Sequence, residues 1–177
     1  MTLLKRCLIG LLFIVVTLMI IGLFLPSKYS VERSIVINAP ANEIYPQLVD
    51  LRKWRQWGVW FERDLQMSIT YTGPDNEVGM KSSWKSDTEG DGEMTITALV
   101  PNKQVTYHLY FPAFEMGSTG ELVLQEQASS TTVTWRDSGD VGNNPVNRYF
   151  ALVMDSMIGP DFQQGLKNLK NLVEKTN

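Results

Sequence analysis

The chain has 177 residues, 44% hydrophobic and 20% charged, with a formal net charge of −3, which excludes a disordered chain and leaves room for one core-bearing domain plus an appendage. A single cysteine and a single histidine exclude an internal disulfide and cannot build a transition-metal site without several carboxylates, so neither a metal nor another cofactor is expected. Residues 26–177 carry 14 Lys+Arg against 19 Asp+Glu, a net of −5, and such a domain has no general attraction for nucleic acid.

The appendage comes first. Lys5 and Arg6 precede a segment without charge from Cys7 to Ser27, nearly all apolar from Leu8 to Leu25. As a helix those 18 positions span roughly 27 Å, close to the hydrocarbon thickness of a bilayer. A signal peptide shares the cationic start, but its apolar run is typically about 7 to 15 residues and ends in small residues. Here the run leaves through Phe24-Leu25-Pro26-Ser27-Lys28-Tyr29. We therefore read residues 1–28 as an uncleaved transmembrane anchor, with residues 8–25 in the membrane, and 29–177 as one domain. The early cations favour a cytoplasmic N-terminus and an extracytoplasmic domain, periplasmic if the source is bacterial, although Lys28 and Arg33 weaken the asymmetry. Cys7 reads as an interfacial helix residue, and the short linker holds the domain close to the bilayer.

Tyr29–Asn38 alternates, with Val31, Ile35 and Ile37 on one face, Ser30, Glu32 and Ser34 on the other, and Arg33 as the exception; this period is that of a half-buried strand. The stretch Asn38-Ala39-Pro40-Ala41-Asn42-Glu43 starts a short helix to about Asp50, on which Pro46 suggests a start later than Pro40. Next comes RKWRQWGVWF, residues 52–61, with Trp54, Trp57 and Trp60 three apart. That spacing gathers the rings on one side of a helical or 3₁₀ turn while Arg52, Lys53 and Arg55 stay wet. The segment reads either as a semi-rigid lid or rim or as a piece of core.

From Gln66 to Arg136 six short alternating runs are separated by turn residues: QMSITYT, GMKSSWK, GEMTITALV, KQVTYHLYF, GELVLQ and TTVTWR. They predict an antiparallel meander burying, among others, Met67, Trp84, Met94, Ile96, Tyr107, Leu122, Val133 and Trp135. Glu62, Asp64, Asp137, Asp140 and Asp155 are the carboxylates open to acid/base work, although Asp137-Ser138-Gly139-Asp140 reads first as a polar loop. Asn147–Ile158 is helical, Gly159-Pro160 breaks or kinks it, and Phe162, Leu166, Leu169, Leu172 and Val173 form an apolar stripe beyond. A curled antiparallel sheet around a long C-terminal helix satisfies both apolar faces, giving an α+β fold preceded by one transmembrane helix.

The search for chemistry finds no catalytic constellation. No G-x-S-x-G is present, and His108 falls in phase with the outward residues of its strand. Asp87-Thr88-Glu89-Gly90-Asp91-Gly92 begins like a calcium loop but has Ala98 where a glutamate is required. The glycines of Gly90-x-Gly92 and Gly117-x-x-Gly120 lack the strand-to-helix setting of a phosphate cradle. Five Trp, six Tyr, seven Phe and eight Met are an apolar surplus that suits either a core or an adaptable pocket.

Several strings are familiar in combination: Val31-Glu32-Arg33-Ser34-Ile35-Val36-Ile37-Asn38-Ala39-Pro40, Trp54-Arg55-Gln56-Trp57, Tyr71-Thr72-Gly73-Pro74 with Val78-Gly79, Gly92-Glu93-Met94-Thr95-Ile96, Thr132-Val133-Thr134-Trp135, and Gly159-Pro160-Asp161-Phe162 with Gly165-Leu166 and Leu169. Together they resemble the polyketide cyclase/dehydrase-like group of the START-like, or SRPBCC, superfamily, over roughly Val31–Glu174. The resemblance implies the helix-grip fold and a deep cavity for hydrophobic ligands such as lipids, sterols or polyketides. It carries over no catalytic residue, and the fold hosts both carriers and enzymes. The expected function is membrane-tethered binding of a hydrophobic small molecule or lipid between sheet and C-terminal helix. The cavity candidates are Trp57, Trp60, Trp84, Met94, Tyr107, Leu109, Trp135, Met154 and Met157. The alternative is an enzyme of cyclase or dehydratase type acting by acid/base chemistry, with Asp155, Glu93, Tyr107 or Glu115 turned into the cavity.

Overall fold

The computed structural model describes residues 3–175. A first helix, α1 (Leu3–Phe24), leads through three residues into strand β1 (Lys28–Ile37). Then come α2 (Ala41–Val49), a 3₁₀ turn at Lys53–Gln56, one helical turn α3 (Trp60–Arg63), and strands β2 (Ser68–Thr72), β3 (Lys81–Lys85), β4 (Gly92–Val100), β5 (Gln104–Phe111), β6 (Met116–Gln127) and β7 (Ser130–Asp140). The chain closes with α4 (Pro145–Glu174).

All seven strands form one antiparallel sheet in the order β1-β7-β6-β5-β4-β3-β2. Consecutive strands are hairpin neighbours from β2 to β7, and β1 returns beside β7, with Val31 opposite Asp137 and Ile35 opposite Val133. The inward phase is apolar, so the sheet curls around α4, whose Phe162, Leu166, Leu169 and Val173 are buried against it. Burying each such side chain contributes about 1.5–3 kcal/mol. This is the helix-grip arrangement of an α+β fold.

One helix start is capped locally and the other by a distant side chain. Asn144 caps α4 by accepting from the Val146 N–H at 3.0 Å, with Pro145 in the first turn, where no donor is needed. The α2 start has no local cap; Glu126 of β6 accepts from the Ala41 N–H at 3.0 Å instead. α2 begins at Ala41, just after Pro40, but Pro46 lies beyond its first turn and inside the helix, where a first-turn position was expected. The missing Pro46 donor frees only the Asn42 carbonyl, and both residues are solvent-exposed, so water satisfies it. Gly159-Pro160 likewise leaves α4 as one helix of 30 residues. Arg33 reaches over Gly159 to Asp155, pairing its two terminal guanidinium nitrogens with the carboxylate at 2.7 and 3.1 Å. The cation that broke the β1 pattern is therefore a tie between β1 and α4.

The expected strands β2 to β5 appear within one or two residues. The last two run longer than expected at the same end of the sheet: β6 starts at Met116, not Gly120, and β7 continues to Asp140. Asp137-Ser138-Gly139-Asp140 is therefore strand, not loop. That end is the one from which β1 leaves α1, and it is called the near end below.

Candidate functional site

The register sets the inner face out in rows across β5, β6, β7 and β1. Far from α1, Val105, Leu122, Trp135 and Arg33 lie side by side; the next row is Tyr107, Gly120, Asp137 and Val31; the near-end row is Leu109, Ser118, Gly139 and Tyr29. Two of these positions are glycine because tyrosines lie over them. A Cβ on Gly120 would overlap the Tyr107 ring, and one on Gly139 would meet the Tyr29 hydroxyl. Inside a strand, glycine here marks close approach by another residue, not a turn.

The rings that use this space bring polar atoms to a carboxyl. Asp137 is 1% exposed, the one charged residue buried among the described residues. The Ser118 hydroxyl donates to Asp137 Oδ2 at 3.0 Å, and the Tyr29 phenol lies within hydrogen-bonding reach of Asp137 and Ser118. In the neighbouring row, Trp135 Nε1–H donates to the Tyr107 hydroxyl at 2.8 Å, and both residues are buried. Burial pushes the Asp137 carboxyl up to about 6, held back by the bonds from Ser118 and Tyr29. Burial first, then the charge of Asp137, raises the Tyr29 phenol to about 12, and the same two causes raise Tyr107 well above its ordinary value. Asp137 is thus poised to hold or release a proton near neutral pH, beside phenols that stay protonated.

Farther from α1 the concave side is filled. Trp54 and Trp57 are buried to 2% and 0% and donate their indole N–H groups to the Leu48 and Gln47 carbonyls at 2.9 and 3.2 Å. Their centroids lie 4.6 Å apart, and Trp57 meets Trp135 edge-on at 5.4 Å. Trp135 in turn stacks on Phe162 at 4.1 Å, nearly parallel. Of the two expectations for RKWRQWGVWF, core describes Trp54 and Trp57, while Trp60 is partly exposed and rim-like. Aromatic rings occupy the middle of the volume assigned to a ligand by resemblance. Two surface depressions lie elsewhere: one of about 660 Å³ at the β4–β5 turn, lined by Val100, Lys103 and Leu124 among others, and one of about 350 Å³ on the outer face around Glu32, Glu121 and Arg136.

The cavity candidates therefore fall into three groups. Trp57, Tyr107, Trp135 and Met94 are buried on the inner side; Trp60, Trp84, Leu109 and Met154 are partly exposed at its margin; Met157 is 56% exposed and turned outward on α4. Of the residues considered for acid/base work, Tyr107 faces inward, Asp155 is held by Arg33, Glu93 pairs with Lys81 at 2.6 Å, and Glu115 is exposed in a left-handed turn at φ 50. His108 is exposed on the outer face, where it stacks on Tyr110. Asp137 is one of the carboxylates the sequence leaves open to acid/base work, but it is buried in β7 and not in the polar loop expected there; Ser118 and Tyr29 are not among the sequence candidates. The signal for its burial was phase: Asp137 is two residues beyond Trp135 and four beyond Val133, on the buried alternation.

A family model described as polyketide cyclase / dehydrase and lipid transport matches residues 28–174. Comparison with curated proteins finds no match. Solved structures similar to the chain include protein MLL2253 from Mesorhizobium loti (TM-score 0.61, 17% identity, 84% of this chain and 98% of that one) and CV1439 from Chromobacterium violaceum (0.60, 17%, 82% and 98%). The di-domain ARO/CYC StfQ of the steffimycin biosynthetic pathway is similar over 84% of this chain and 52% of its own, with a TM-score of 0.64 and 13% identity. Such identities speak for the fold alone. The family match begins at β1 and ends with α4, covering the grip and leaving α1 outside it, and over that span the chain belongs to the polyketide cyclase/dehydrase and lipid transport family.

Proposed function

We propose that the protein is a membrane-tethered binder of a hydrophobic small molecule or lipid, held by α1 with the N-terminus cytoplasmic and the domain outside the cytoplasm. The ligand sits at the near end of the grip. The observation that carries this reading is the contrast on the concave side: packed indoles far from α1, then a buried carboxyl with a serine and two phenols, margined by partly exposed Trp84, Leu109 and Met154. An apolar wall with a few convergent polar groups is the composition of a small-molecule site. In this reading the apolar body of the ligand lies on the margin residues and its hydroxyl or carbonyl reaches Asp137 and Ser118. Lipid extraction from the purified full-length protein, followed by mass spectrometry, tests it. One class of molecule should co-purify in near-stoichiometric amount and be lost from Leu109→Trp, which narrows the near end; equal recovery from both proteins would overturn the reading.

The Asp137 group favours a second reading, acid/base catalysis on the same ligand, because a carboxyl poised near neutral pH beside protonated phenols can move a proton. Asp137→Asn separates the two. A carrier yields the same molecule from parent and variant, whereas for an enzyme the variant yields a different, unconverted molecule.

A further inference from the structure

The first half of α4 has an outward side with no use in the grip. Val146, Phe150, Val153 and Met157 recur at intervals of four, three and four, so they form one stripe on the helix. They are 48%, 52%, 44% and 56% exposed. Farther along, the outward positions become polar, with Gln164, Lys167 and Asn171 exposed.

Both charges on this half of the helix are already engaged. Asp155 is paired with Arg33. Arg148 donates to the carbonyls of Leu23 and Leu25 at the end of α1 and to Gly142 and Asn143. Tyr149 directs its hydroxyl at the Leu18 carbonyl, 2.7 Å away and inside the apolar run of α1, and Gly22 lies against Pro145. Leu18 precedes Phe24 by six residues, about 9 Å along the helix. The opening turns of α4 therefore sit beside the last two turns of α1, and wherever α1 is in lipid at Leu18, so is this flank of α4.

We propose that the Val146–Phe150–Val153–Met157 face of α4 is embedded in the bilayer beside α1 as a second, interfacial membrane element. The proposal rests on the anchor reading of α1. Engaged charges and an apolar stripe continuous with a spanning helix are what a helix immersed at the membrane boundary requires. A consequence follows for the site. Ala151, Met154 and Ile158, about 100° round the helix from the stripe, form the sheet-facing side of the same turns, so the body of one helix separates the acyl region from the near end of the grip. The ligand then reaches Asp137 and Ser118 laterally from the leaflet rather than through water.

Site-directed spin labelling of the full-length chain in phosphatidylcholine–phosphatidylglycerol vesicles tests this. In a Cys7→Ser background, single labels are placed through Phe150→Cys, Val153→Cys, Lys167→Cys and Leu12→Cys, all at exposed positions, with near-ultraviolet tryptophan signals checking the fold. The ratio of accessibility to oxygen over a water-soluble nickel chelate should be severalfold higher at 150 and 153 than at 167, matching 12 in sign. Ratios at 150 and 153 equal to that at 167, with 12 still in lipid, overturn the embedded face while leaving the tether standing. Protection from both reagents with spin–spin broadening identifies a second copy of the chain on the stripe and also overturns it. Position 12 in water removes the tether, and the embedded face with it.

Discussion

The two ends of the grip are made from the same strands and differ in what their side chains can do. Far from α1, Trp54, Trp57, Trp135 and Phe162 satisfy one another by ring contact, and their polar atoms are spent on backbone or a single hydroxyl. At the near end two inward positions are glycine, the rings above them carry hydroxyls, and a carboxyl is buried among those hydroxyls. The first end lowers the free energy of folding; the second spends part of that gain to keep an ionisable group out of water. Stability and chemistry are thus divided along the strands, and substitutions at the two ends should differ in kind.

The largest effect belongs to the packed end. Trp135→Ala removes a fully buried indole that touches Trp57, Trp60 and Phe162, and should cost about 3–5 kcal/mol. The measurement is the denaturant midpoint of the full chain in detergent, with the slope unchanged. A loss below ~1 kcal/mol would mean that this end is loosely packed, and the contrast between the two ends would collapse.

Asp137→Asn comes next, and its sign depends on pH. The carboxyl ionises near 3.8 in an unfolded chain and near 6 in the folded one, so the folded state disfavours the charge. Below 3.8 both states are neutral and nothing is lost; between the two values the penalty grows with pH; above about 6 it is fully present. The interval corresponds to ~3 kcal/mol at most. The variant should therefore match the parent in acid and gain stability steadily as pH rises toward 6. A gain independent of pH would show that Asp137 does not titrate in this range.

The division was only half legible beforehand. Alternation placed the strands, and it correctly put Trp84, Tyr107 and Trp135 on the inward phase, because one buried face imposes a period of two on local sequence. It failed at Gly120, Gly139 and Asp137, where local turn chemistry and strand geometry ask for the same residues. What decides between them is a tyrosine ring arriving from another strand, and no short window contains that. The spacing of Trp54, Trp57 and Trp60 gave the side on which the rings lie but not their depth, which depends on Leu48, Trp135 and α4. Arg33 is the converse case: an exception in its own strand, explained by Asp155 122 positions away.

Tyr107→Phe acts where the two ends meet. It keeps the ring over Gly120 and removes the acceptor of Trp135 Nε1, leaving a buried donor without a partner. The expected loss is about 1–3 kcal/mol. It should be constant with pH through the neutral range, because the phenol stays protonated there. A loss that varied with pH around 6 would couple Tyr107 to Asp137 directly and merge the packed end with the polar one.

The smallest effect is predicted on the convex side, where Arg136 and Glu32 face each other across β7 and β1, with side chains 50% and 45% exposed. Arg136 and Asp137 are adjacent in sequence and opposite in face, so this pair is the natural control for Asp137. Both are charged and both sit on the β1–β7 seam, but water screens one and the fold encloses the other. Glu32→Gln should change stability by less than ~1 kcal/mol, and raising the salt concentration should shrink even that. If Glu32→Gln instead rivals Asp137→Asn, the charge of Asp137 would matter no more than any seam charge, and its burial would lose its claim to chemistry.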